Sequence, residues 1–255
     1  MNNQKLDSIL HSFDTIQLSQ LSNNLKLMNR IDTKYLTNEI QLLELLPHLV
    51  SKYNIQVVES DVRNSRYKTF YYDTKDLEMY FMHHNYRSVR NKIRIRKYIE
   101  SDISFFEIKT KDNHKRTTKQ RIQIFNDDIY SNNDIKKFLE ENSKYKVSEL
   151  YPYVNNEFNR ITLIDKDMSE RLTIDSNIRF SNINTNMQAA LPNIVILELK
   201  QLSSEPSYIK YLLKEFDIYK NSVSKYCIGS ILTNKALKHN SFKNKMHFIN
   251  KLSMC

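Results

Sequence analysis

Between residues 30 and 200, apolar and polar side chains alternate with a period of two. Eight stretches stand out as strands: 30–36, 66–73, 88–98, 103–111, 115–125, 157–165, 171–179 and 193–200. Helical spacing appears before, between and after them. Leu6, Ile9, Leu10, Phe13, Ile16 and Leu21 predict an amphipathic helix over 5–21. Shorter helices are predicted at 38–50, 75–82 and 131–141, and again at 206–219 and 224–238, with Pro206 suited to a first turn. Lys111-Asp112-Asn113-His114 carries the chemistry of a hairpin turn, because asparagine and aspartate tolerate left-handed backbone. Strands in series with helices around them predict an α+β fold built on a mainly antiparallel sheet. No internal repeat or long linker divides the chain.

Alternation alone describes any half-buried strand; the residues on the polar side are what distinguish this one. In 88–98, Arg90, Lys92, Arg94 and Arg96 share one parity, opposite Val89, Ile93 and Ile95. Glu107, Lys109 and Lys111 do the same in 103–111, and Lys119 and Arg121 in 115–125. The first strand offers Arg30, Asp32 and Lys34, and the later ones Arg160, Arg171 with Asp175, and Glu198 with Lys200. These positions hold 13 basic residues against 4 acidic, so most of the chain's net charge of +10 falls on one sheet face.

That charge calls for a polyanionic partner. The single glycine, Gly229, excludes every glycine-rich phosphate loop, so side chains must do the binding. Cys227 and Cys255 supply neither a disulfide framework nor a thiolate zinc site, which fits a reducing cytoplasm. No window approaches the ~18 apolar residues of a transmembrane helix.

If the sheet closes with its polar face inward, eight strands suffice for a barrel with a narrow lumen, helices covering the aliphatic outside. Like charges ~8 Å apart repel by roughly 2 kcal/mol at an effective dielectric of ~20, so such a lumen needs water and a bound polyanion.

The same residues carry a resemblance. Asn29-Arg30-Ile31-Asp32-Thr33-Lys34-Tyr35, Tyr72-Asp73-Thr74, Lys92-Ile93-Arg94-Ile95-Arg96, Phe106-Glu107-Ile108-Lys109, Lys119-Gln120-Arg121, Asn159-Arg160, Leu197-Glu198-Leu199-Lys200 and Ser224-Lys225-Tyr226 occur in order. With them the chain resembles the VTC (vacuolar transporter chaperone) domain, the polyphosphate polymerase branch of the triphosphate tunnel metalloenzymes. The resemblance implies an eight-stranded antiparallel tunnel over 29–238, with a helical extension at 1–28 and a tail at 239–255. It implies transfer of the γ-phosphoryl group of ATP to a growing polyphosphate chain, with Mn²⁺ or Mg²⁺. Lys34, Arg94, Arg96, Lys109 and Arg160 then look catalytic. Arg30, Lys92, Lys111, Lys119, Arg121, Arg171, Lys200, Ser224 and Lys225 look substrate-binding, and Glu198 metal-binding. ATP and polyphosphate or pyrophosphate are the implied partners; a membrane partner on another chain stays open.

Three positions depart from family patterns. Tunnel enzymes at large open with Glu-x-Glu-x-Lys, where this chain has Arg30, Asp32 and Lys34. Ser222 replaces a lysine of the yeast-type domains and Phe158 a tyrosine. A tunnel triphosphatase and a non-catalytic polyphosphate-binding module are the alternative functions. Sequence-specific nucleic-acid binding is not expected, since the aromatics do not interleave with the basic positions. The tyrosines read as packing outside the barrel, His83-His84 as core or solvated residues, and Glu107 and Asp175 as partners for neighbouring arginines.

Overall fold

The computed structural model describes residues 3–21, 31–114, 116–201 and 205–254. Its spine is a path of eight antiparallel strands: β2 (Ile31–Asn38), β11 (Ile194–Gln201), β9 (Glu170–Asn182), β8 (Tyr151–Asp165), β4 (Ser65–Asp73), β5 (Arg90–Tyr98), β6 (Ile103–Lys111) and β7 (Thr117–Ile124), in that spatial order. All eight strands predicted from the alternation are present. Asp112 and Arg116 exchange hydrogen bonds at the turn joining β6 to β7, where the hairpin was expected. Three short strands were not expected: β1 (Asp14–Gln17) runs parallel to β3 (Tyr53–Val57), which pairs with β8, and β10 (Gln188–Leu191) pairs with β9.

No backbone pairing joins β2 to β7 among the described residues, so hydrogen bonds do not close the sheet. It is nevertheless curled into a tunnel. Lys109 on β6 and Lys34 on β2, far apart along the path, are close enough for their charges to repel.

The predicted helix at 5–21 needs correction: α1 ends at His11 (Asn3–His11) and the chain then extends into β1. Leu6, Leu10 and Phe13 pack in one core, whereas Ile16 pairs opposite Gln56 and joins a separate cluster with Ile164. The β-branched Thr15 and Ile16 suit the extended form, and β3 supplies the backbone partners that a fourth helical turn would otherwise provide. The helices α2 (Glu39–Leu49), α3 (Glu78–His84), α4 (Asn133–Asn142), α5 (Tyr208–Glu215) and α6 (Lys225–Thr233) lie where helical spacing placed them. α7 (Lys243–Ser253) adds a helix to the segment read as a tail. None of the described helices is long and apolar enough to cross a membrane.

The outer, aliphatic side of the sheet is covered twice. Leu197, Leu199, Ile161, Leu163, Leu172 and Ile174 pack under α1, α2 and α5, and Ile93, Ile95, Phe106 and Ile108 under α4. A third core lies inside one end of the tunnel. There the inward positions turn apolar: Leu36, Ile196, Tyr71, Val154, Phe158, Ile178 and Phe180 surround Tyr226, Cys227, Ile228 and Ile231 of α6. The switch on β9 has a local cause. An extra residue shifts the β8–β9 register, and Asn177 takes φ 51°. This bulge moves the inward set from Arg171, Thr173 and Asp175 to Ile178 and Phe180.

Candidate active site

In the lumen beyond this apolar plug, Glu107, Asp175 and Glu198 are each held by two cations, and Asp32 shares Lys200 with Glu198. Glu107 of β6 is buried and accepts Arg94 Nε at 2.7 Å, with Arg94 Nη2 at 2.6 Å and the Lys119 ammonium on its other oxygen. Register explains the convergence, since Arg94 and Arg121 flank Glu107 on the neighbouring strands and Lys119 lies one inward step along. Asp175 of β9 stands opposite Arg160 of β8 and takes a two-pronged bond, Nε to Oδ1 at 2.6 Å and Nη2 to Oδ2 at 2.7 Å. The Lys225 ammonium closes on Asp175 from the start of α6. Glu198 of β11 faces Lys34, its register partner on β2, at 3.6 Å and Lys200 at 3.1 Å.

Burial pushes all three carboxyls up, but their cations outweigh it and hold each well below the ordinary carboxylate range. The cations are Arg94, Arg96 and Lys119 for Glu107, Arg160 and Lys225 for Asp175, and Lys34, Lys200, Arg160 and Lys109 for Glu198. The lysines shift the opposite way. Burial first, and then like charges, brings Lys92 down to about 7, Lys109 to about 8 and Lys119 to about 7. Positive charge is crowded to the point where an incoming anion would relieve it.

The start of α6 belongs to this site. Ser224 is its N-cap, accepting from the Cys227 amide, and its hydroxyl also accepts from Lys92 Nζ at 2.9 Å. The first turn of the helix, with Lys225, therefore faces the lumen and adds the positive end of its dipole. Tyr226 anchors that turn. Its hydroxyl donates to buried Asp73, which also accepts from the amides of Thr74, Met79 and Tyr80 and so ties α6 to the start of α3.

Several expected residues are placed differently from the rest. Arg171 is half-buried and lies opposite Lys200. Lys111, also half-buried, lies opposite Arg90 at the far end of β6. Arg121 is exposed on edge strand β7, its guanidinium 4.3 Å from the centre of the Phe105 ring. Arg30 lies outside the described residues.

Two features were missed. First, aromatics do face the cations, contrary to the exterior role read from sequence. Tyr67 and Phe158 stack at 5.2 Å, and Arg160 lies 5.1 Å from the centre of the first ring and 5.2 Å from that of the second. Arg96 lies 5.9 Å from Tyr67, and Lys225 3.1 Å from Phe158. The signal was present in the shared parity of Tyr67, Thr69 and Tyr71 opposite Tyr98, Arg96 and Arg94, but only strand pairing reveals it. Second, Lys245 of α7 donates to the Ser222 carbonyl at 2.5 Å, and its charge is felt by Lys34 and Arg90. With Arg90, Lys92 and Lys111 it also surrounds His83, which burial and these cations push down to about 2, keeping the ring neutral. Neighbouring His84 is buried, within 2.7 Å of Asn240. No period in the sequence could have drawn residue 245 to this place.

The fold recurs in solved structures. A putative adenylate cyclase from Bacillus halodurans superposes with a TM-score of 0.50 at 15% identity, covering 77% of this chain and 96% of that one. A putative adenylyl cyclase from Hippeastrum, described as having a dominant triphosphatase activity, gives 0.48 at 14% identity, covering 83% and 100%. A comparison with curated proteins finds no match. The VTC domain family matches residues 29–234, a span that holds every lumen residue described above except Lys245. With that match over most of its length and a cationic tunnel of this construction, the chain belongs to the VTC domain family.

Proposed function

We propose that this protein is a polyphosphate polymerase that moves the γ-phosphoryl group of ATP onto the end of a polyphosphate chain and releases ADP. The observation that carries this reading is the convergence of Arg94, Arg160, Lys34, Lys109, Lys119 and Lys225 on one lumen, where among the described residues Glu107, Asp175, Glu198 and Asp32 oppose them. Phosphoryl transfer passes through a loose transition state with charge spread over oxygens, so positioned cations are the main requirement. Arg94 and Arg160 are pre-set by Glu107 and Asp175 and braced by aromatic rings, so little reorganisation is needed when substrate arrives. In the transfer, the bond from phosphorus to the ADP oxygen breaks as the bond to the chain's terminal oxygen forms. That oxygen is ionised at neutral pH, so no protein base or nucleophile is called for. Cys227, whose thiol burial pushes up, is not poised to act as one.

A divalent cation suits the donor chemistry. Glu198 is ionised and Asp32 stands near it across the shared Lys200, and two carboxylates are what Mg²⁺ or Mn²⁺ takes when phosphates and water complete its shell. Bound there, the metal would offset charge on the phosphate oxygens. Reach favours a polymer over a single triphosphate. The cationic track continues along β5 and β6 from Lys92 to Arg90 and Lys111, and Lys245 joins it from α7. Incubation with ATP and Mn²⁺, followed by gel electrophoresis, tests the reading. A ladder of chains supports polymerisation, free phosphate without a ladder assigns the tunnel to triphosphate hydrolysis, and neither product leaves a binding module.

A further inference from the structure

Lys200 Nζ lies 2.9 Å from Asp32 Oδ2 and 3.1 Å from Glu198 Oε2, and only 11% of its side chain is exposed. The arrangement is written into the register, since Lys200 pairs with Asp32 and Glu198 with Lys34 across β11 and β2. Two carboxylates thus close on one ammonium in a sheltered place. A hard divalent cation seeks the same oxygens, so Lys200 and a metal compete for one position. Lys34, Arg160 and Lys109 also face Glu198, and Lys109 feels the charge of Asp32 as well, but among these cations Lys200 is the one whose ammonium is in contact with both carboxylates.

Building on the reading of this lumen as a metal-assisted phosphate site, we propose that Lys200 is a tethered cation that keeps the Glu198–Asp32 pair from holding a divalent metal by itself. Metal then enters only with a phosphate chain, whose charge draws the Lys200 ammonium off the carboxylates. The consequence is an ordered site in which bare metal does not accumulate in the tunnel.

The test is Mn²⁺ titration of the full chain at low salt without phosphate, following the electron paramagnetic resonance signal of free Mn²⁺. Lys200→Gln is expected to bind Mn²⁺ about tenfold tighter than the wild type or more, because one positive charge leaves the carboxylates. Lys200→Arg is expected to behave as the wild type, and adding Glu198→Gln to Lys200→Gln is expected to erase the gain. Lys200→Gln within about twofold of the wild type, or a gain that survives Glu198→Gln, overturns the proposal. Should Lys200→Gln not fold, the charge-balanced Asp32→Asn/Lys200→Gln is compared with Asp32→Asn. The double variant must bind Mn²⁺ more tightly, and equality is again fatal. A metal-free thermal shift with triphosphate on the same samples reports separately on the phosphate site: no shift in the wild type defeats that reading whatever Mn²⁺ does.

Discussion

Replacing Glu107 by glutamine keeps the shape of the side chain and removes the charge that holds Arg94 and Lys119. Glu107 is 1% exposed and Arg94 15%, so water does little to screen this pair. Charge centres ~4 Å apart at an effective dielectric of ~20 attract by about 4 kcal/mol. The Lys119 contact, with that side chain 33% exposed, adds a smaller amount. Breaking a buried pair by removing one partner costs about 3–5 kcal/mol. At about 2–4 °C per kcal/mol for a chain of this size, Glu107→Gln should melt roughly 6–20 °C below the wild type. The lost carboxylate also frees two cations for ligand. Triphosphate should therefore restore more stability to the variant than it gives the wild type, measured by scanning calorimetry at low salt and at fixed ligand concentration. A variant that melts within about 2 °C of the wild type, or one whose triphosphate shift is no larger, would refute the reasoning that the Glu107 carboxylate holds Arg94 and Lys119 against a bound anion.

Three further outcomes are expected. Lys92, Lys109 and Lys119 titrate near 7–8 in the folded chain but near the ordinary lysine value when unfolded, so the unfolded state binds more protons between these limits. Stability of the free protein should rise from pH 7 to pH 9, and calorimetry in buffers of different ionisation heat should show proton uptake on binding long-chain polyphosphate at pH 8; a flat stability profile and no uptake would count against the crowding. Gly229→Ala would place a Cβ 2.5 Å from Phe180 Cδ1 inside the packed plug, costing about 1–3 kcal/mol and lowering Tm, with wild-type stability as the contrary result. Lys245→Ala should weaken polyphosphate binding and flatten its salt dependence, as fluorescence titration at two ionic strengths would show; unchanged affinity at low salt would remove α7 from the site.

The period-two alternation was sufficient to locate all eight strands of the tunnel and to place Arg94, Glu107, Lys119, Arg160, Glu198 and Lys200 on one face. Side-chain direction in a strand is a local property of the pleat, and a charged residue shows its preference wherever the chain goes. Pairing is not local. Which carboxylate holds which cation depends on register between strands far apart in sequence, as with Asp175 and Arg160 or Asp32 and Lys200. The placement of Tyr67 and Phe158 beneath the arginines, the bulge at Asn177 that turns β9 from polar to apolar, and the approach of Lys245 from α7 depend likewise on tertiary contacts. The sequence by itself determined the elements and the charge of the lumen, because propensity, parity and net charge are sums over neighbouring residues. Only the tertiary structure decided where the tunnel is plugged and how its cations are shared, because distances between distant segments set those energies.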